Sequence, residues 1–227
     1  MVVMGGAGGL NYVSGDRGQH FAVLNYLLNH EWPPTAISPS GETEVLRYAL
    51  GWYLVPALLA KLVGASNVDL FSAGWSVIGL TIFFSMVADH WPGWKGKAVG
   101  PLIFFVFSGM DYLGTQLTDY LVMKTHWAWW AGWMQYTSNL TSVFWVPQHV
   151  IPAWLAIGVL MKQWQSPVLL DHLAGLLVAV MFWSPFVAVG LVPFYLVLLH
   201  RHGIRDLPLH WRPFSIGTVG GLPLANI

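Results

Sequence analysis

Residues 168–199 read VLLDHLAGLLVAVMFWSPFVAVGLVPFYLVLL, 32 positions in which Asp171 is the only charged side chain. A helix needs about 20 mostly apolar residues to cross a bilayer, so the stretch is longer than one crossing. Ser184-Pro185 divides it. Proline lacks the backbone donor and disfavours helix at the preceding residue, which predicts two short helices meeting at a break. Such a break is tolerated at membrane depth only where protein or a water-filled cavity covers it.

Four further apolar runs precede it: Tyr48–Gly64, Asp69–Ala88, Ala98–Leu113 and Val146–Met161. Pro56 predicts a kink in the first, while Pro147 and Pro152 mark the start of the fourth. Composition points the same way. Hydrophobic residues make up 56% of the chain and charged ones 9%, and the mean hydropathy is +0.57. A soluble domain carries about a quarter charged residues, so this chain cannot dress an ordinary water-facing surface. Fourteen tryptophans suit a membrane–water boundary, where the ring is apolar and its N–H needs a wet partner. The expected fold is all-α: a polytopic transmembrane helical bundle with amphipathic interfacial helices in two long loops. The expected location is a membrane, as an integral protein in contact with lipid.

One membrane-embedded domain, 1–227, is expected, with a polar interfacial loop over 11–47 and first helices over 48–113. An aromatic loop over 111–145 and later helices over 146–199, broken at 184–185, complete it. In the first loop Phe21, Leu24, Leu27 and Leu28 fall on one helical face. The second holds His126-Trp-Ala-Trp-Trp and reads as another surface helix. Lys95, Lys97, Lys162, Arg201 and Arg205 belong on the cytoplasmic side by the positive-inside rule. Two full crossings before Lys95 then put residues 11–47 on that side too, away from the aromatic loop, unless one of the first two runs is re-entrant.

Several functions are excluded. Ten acids balance ten bases, so no field favours a nucleic-acid partner. The chain has no cysteine, hence no disulfide, thiolate metal site or cysteine nucleophile. Gly5-Gly6-Ala7-Gly8-Gly9 lacks the spacing of a phosphate or dinucleotide loop.

Asp16 is the first candidate for chemistry, with Arg17 beside it and His20 one helical turn on. A carboxylate and an imidazole on one face can act as base and orienting partner, or hold a divalent metal or a phosphate headgroup. The bland reading makes Asp16 a helix N-cap and His20 a surface residue. Asp111 ends an apolar run, where an acid is costly unless paired or wet; the alternative is an acid in the headgroup layer. Gln148 and His149, fixed by Pro147, can bind a sugar or phosphate, or else satisfy the free N–H groups of a helix start. His126 with Trp127, Trp129 and Trp130 offers a stacking platform or an interfacial aromatic belt. Nine histidines also leave room for a haem or chlorin.

Gly15-Asp16 with His20, Leu24-Asn25 and Trp32-Pro33 resembles the first external loop of bacterial membrane proteins of the GT-C glycosyltransferase group. Residues 50–62, LGWYLVPALLAKL, are similar to the helix that follows it. So are residues 107–114, Trp129-Trp130, residues 144–149 and Trp183-Ser-Pro-Phe. The resemblance implies an enzyme of the bacterial inner membrane that moves a sugar from a polyprenyl-phosphate donor to a lipid, glycan or protein acceptor. It implies Asp16 as catalytic base, sometimes with a divalent metal. Arg17, His20, Asp111, His126, Gln148 and His149 become candidate substrate contacts. That group usually places a spanning helix before this loop and more helices after the region covered, so a fragment or a catalytically silent relative is also expected. The alternative reading is a non-catalytic accessory subunit of a larger respiratory or photosynthetic membrane complex. A transporter, suggested by the broken helix, lacks an inverted repeat.

Overall fold

The computed structural model describes residues 2, 16–37, 40–46, 48–107, 110–118, 137–166 and 169–202. The chain is mostly helical. Helix α1 spans Arg17–Asn29, and a two-stranded antiparallel hairpin, β1 Thr35–Ile37 and β2 Thr43–Val45, follows with Ala36 opposite Glu44. The hairpin was not foreseen from the sequence. Its strands are only three residues long and lack the alternation that announces a half-buried strand. Then come α2 Gly51–Val63, α3 Asp69–Val87, a single turn Ala88–His90 and α4 Gly93–Val106. Helices α5 Asp111–Thr118, α6 Asn139–Trp145, α7 Pro147–Gln163, α8 Leu169–Trp183 and α9 Pro185–His202 complete the described residues.

Local chemistry sets most of these ends. Gly64 takes a left-handed φ of 68° and returns its N–H to the carbonyls of Ala60 and Lys61, closing α2. Ser138 caps α6, its side chain accepting from the Thr141 N–H. Pro147 opens α7 and Pro185 opens α9, where a missing N–H costs nothing. Pro152, by contrast, lies inside α7 instead of at its start. The run Ala98–Leu113 also divides: Phe107 leaves the helical region with ψ 126°, and Met110 has φ 60°. Asp111 therefore begins a helix, in the first turn where the backbone N–H groups favour a carboxylate, and does not end one.

The break at Ser184 is a hairpin apex. Leu177, Val178 and Met181 of α8 face Ala188, Val189 and Val192 of α9, and near the far end Leu173 and Leu198 share one core with Leu160 of α7. Helices α3 and α7 pack in the same direction, Gly79 against Ile151 and Gly158 against Met86. Phe83 and Phe84 of α3, Phe104 and Phe105 of α4 and Trp154 of α7 stack between them, Phe104 and Trp154 edge to face at 4.8 Å.

The inward face of α3 begins polar, with Asp69, Ser72 and Ser76 buried, and continues apolar through Leu80, Phe83 and Val87; on the other side Leu70, Val77, Ile78 and Ile82 are each about half exposed. Among the described residues Asp69–His90, with mean hydropathy 1.8, is long and apolar enough to cross a membrane. A buried core helix can pass that test of length and composition, although only 33% of the stretch is buried here. The apolar helices Gly51–Val63, His172–Trp183 and Pro185–Arg201 are shorter.

Candidate functional site

Segments far apart in sequence meet around His20, which is 8% exposed. Its Nδ1 lies 2.6 Å from the Tyr53 hydroxyl of α2, and its Nε2 lies 2.8 Å from the Trp145 carbonyl at the end of α6. A carbonyl can only accept, so Nε2 carries the hydrogen. In the neutral ring Nδ1 then accepts from Tyr53. Burial pushes the imidazole pKa below its ordinary 6.5, and Arg17 pushes the same way; the Trp145 carbonyl and the Asp16 charge pull it back. His20 is thus held neutral in one tautomer.

Helix α1 buries His20, Leu24 and Leu27, each about one turn after the last. The predicted face is right at Leu24 and Leu27, but Phe21 is 51% exposed and His20 replaces it. The imidazole is drawn inward because Tyr53 and the Trp145 carbonyl supply the hydrogen bonds that burial demands. His20 as a surface residue is therefore overturned.

Arg17, one turn earlier, reaches Asp69 at the start of α3, Nη2 to Oδ1 3.2 Å, with both side chains mostly buried. Ser72 donates to the Asp69 carbonyl and Ser76 to the Ser72 carbonyl, each at 2.8 Å. The Trp52 indole N–H donates to Ser76 Oγ at 3.1 Å. Arg17, His20, Asp69 and the two serines line a cavity of about 30 Å³, walled opposite by Val143, Phe144 and Pro147. That volume holds one or two water-sized groups, such as a hydroxyl, and no sugar ring.

Asp16 sits immediately before α1. Its side chain makes no capping bond, and only its carbonyl receives the Gln19 and His20 N–H groups. The side-chain N-cap expected of it is absent because Asp16 has helical φ and ψ of −70° and −16°, not the extended backbone that turns an N-cap oxygen toward the first turn. Gln148 is 2% exposed, and its Oε1 has no hydrogen-bond partner among the described residues. His149 Nδ1 lies 2.7 Å from Ser184 Oγ at the α8–α9 apex, so it ties two helices together and does not cap its own.

The structure brings Asp16, Arg17, His20 and the start of α7 to one end of the molecule. Asp111 is partly buried in the first turn of α5 and does not line the cavity. His126 and its tryptophans lie outside the described residues. Tyr53, Asp69, Ser72, Ser76 and Ser184 escaped the sequence reading. Asp69 alone gave a signal, an acid opening an apolar run, the same signal that marked Asp111. Among the described residues no group of three or more His, Cys, Asp or Glu side chains could hold a metal ion. Comparison with known proteins returned no matching family model, no matching characterised protein and no matching solved structure.

Proposed function

We propose that the chain is a polytopic integral membrane protein of the GT-C kind, transferring a sugar from a polyprenyl-phosphate donor to a hydroxyl of a lipid, glycan or protein acceptor. Membrane embedding is supported by α3, where the aliphatic side chains of Leu70, Val77, Ile78 and Ile82 stay about half exposed while Asp69, Ser72 and Ser76 are buried. Water would reverse that pattern; a lipid solvent rewards it. The observation that carries the catalytic reading is convergence. Of the separated stretches that prompted the GT-C comparison, four touch one another at one end of the molecule. His20 binds Tyr53 and the Trp145 carbonyl, His149 binds Ser184, and Gly51 packs directly under Trp183.

In this reading the Asp16 carboxylate takes the proton of the acceptor hydroxyl as its oxygen attacks the anomeric carbon. The bond from that carbon to the phosphate oxygen breaks, and the polyprenyl phosphate leaves with the electron pair. Arg17 supplies positive charge near the departing phosphate, oriented by Asp69. The small cavity beside Arg17 and His20 is too small for a sugar ring, so in this reading both substrates lie outside it. Transfer from a radiolabelled polyprenyl-phosphate sugar by purified protein in mild detergent tests this. Asp16→Asn should abolish transfer while Asp16→Glu retains part of it. Equal activity of Asp16→Asn and the parent, or no transfer by the parent with any such donor, sinks the reading.

A second reading, a non-catalytic subunit of a larger membrane complex, draws on the way Arg17 and His20 are already engaged by partners inside the chain. It predicts stoichiometric recovery with other subunits and unchanged assembly of Asp16→Asn.

A further inference from the structure

Two charged clusters lie at opposite ends of the same helices. Arg17 meets Asp69 at the first residue of α3. Beyond the other end of α3, Asp89 lies 4.0 Å from Lys97 and 3.9 Å from Lys162. The 19 residues of α3 rise about 28 Å at 1.5 Å each, close to the roughly 30 Å of a bilayer's hydrocarbon core. Helix α7 repeats the arrangement, from His149 bound to Ser184 near its start to Lys162 near its end. Three residues beyond Lys162, Gln165 accepts from Arg201 of α9 at 3.0 Å.

The bases at that far end, Lys95, Lys97, Lys162 and Arg201, are exposed, with Asp89 as the acid beside Lys97 and Lys162. At the His20 end Arg17 is neutralised by Asp69. At the C-terminal end of α1 Lys61 donates to the His30 carbonyl and lies 5.2 Å over the Trp32 ring, while Glu31, Glu42 and Glu44 are exposed around the hairpin. Helix α2 runs alongside α1 in the same direction, Tyr53 beside His20 and Lys61 beside His30. Residues 64–68 then return the chain to Arg17 at Asp69. Helices α2 and α3 therefore start at the same end.

We propose that the Lys95–Lys97–Lys162–Arg201 end contacts the anionic phospholipid headgroups of the cytoplasmic leaflet, with α1, the hairpin and α2 together at the opposite water boundary. Helix α2 does not cross, which removes the conflict over residues 11–47: α3 is the first described crossing. The inference rests on the membrane reading above but not on the transferase chemistry. Lysine and arginine set orientation through their retention beside anionic lipid.

The chain has no cysteine, so single-cysteine variants of the full chain report each face. Glu44→Cys and Lys95→Cys would be labelled with a membrane-impermeant maleimide in intact bacterial spheroplasts and again after permeabilisation. Glu44→Cys labelled in both conditions and Lys95→Cys only after permeabilisation is the expected result. Labelling of both from one side, or the reverse order, overturns the orientation while leaving the chain integral. Release of the protein from membranes by alkaline carbonate defeats the membrane reading itself. With the orientation as proposed, Lys97→Glu/Lys162→Glu should give a mixed population, with part of Lys95→Cys now labelled in intact spheroplasts; no change in labelling overturns the role of anionic lipid.

Discussion

His20 donates from Nε2 to the Trp145 carbonyl at 2.8 Å, joining residues 125 positions apart. The same ring accepts from Tyr53. One imidazole thus pins α1 to α2 and to the junction of α6 with α7, and its neighbours Asp16 and Arg17 inherit their positions from it. Four measurements probe how much depends on this arrangement.

Replacing His20 with alanine leaves the Trp145 carbonyl and the Tyr53 hydroxyl without this partner in a largely dry site. Each loss costs about 1–3 kcal/mol, so His20→Ala should lower stability by roughly 2–4 kcal/mol in thermal or denaturant unfolding in detergent. His20→Gln can still donate to the carbonyl and accept from the hydroxyl, and should recover a good part of the loss. Equal damage from both would show that the hydrogen bonds are not what the site needs.

Stability should also depend on pH with a definite sign. Burial lowers the folded-state pKa of His20 below the 6.5 of the unfolded chain. Between those two values the unfolded chain binds more protons, so stability rises with pH there. The contribution is complete above pH 6.5 and is lost as the pH falls below it. Unfolding midpoints measured from pH 7.5 to pH 5 should decline for the parent and flatten in His20→Gln. A parent whose stability improves on acidification contradicts the neutral tautomer.

Asp69→Asn strips the mostly buried Arg17 guanidinium of its counter-charge, at a cost of about 3 kcal/mol. The double variant Arg17→Gln/Asp69→Asn should be less damaged than Asp69→Asn alone, because no uncompensated charge remains. Additive losses in a double-mutant cycle would mean that the two side chains do not act as a pair.

Two glycines of α3 should respond in opposite ways. A Cβ at Gly79 would sit 2.6 Å from Ile151 Cγ2 of α7, whereas one at Gly74 meets nothing within 4 Å. Gly79→Ala must push α3 and α7 apart and should destabilise by about 1–3 kcal/mol. Gly74→Ala should be neutral or stabilise by up to about 1 kcal/mol, through helix propensity alone. Similar effects at both positions would argue against the close α3–α7 packing.

Much of the architecture was legible from residue order. The apolar runs located α2, α3, α7, α8 and α9 within a few residues, and Ser184-Pro185 marked the apex of the α8–α9 hairpin. Those features are local: hydrophobic length and proline chemistry act within a segment and leave their mark in it. The split of 98–113 at Phe107 was hidden because it falls inside an unbroken apolar run, and the β-hairpin because its strands are too short for a periodic signal. Asp16, Arg17, His20, Gln148 and His149 stood out as polar residues beside apolar stretches. Only the tertiary structure decided what they meet: Arg17 with Asp69, His20 with Tyr53 and Trp145, His149 with Ser184. Those pairings span 33 to 125 positions and depend on how helices pack, which no periodicity encodes. Helix packing likewise put the starts of α1, α2 and α3 at one end, which hydropathy alone does not reveal. A buried polar group must find its partner wherever packing brings one, and the sequence by itself names the group and not the partner.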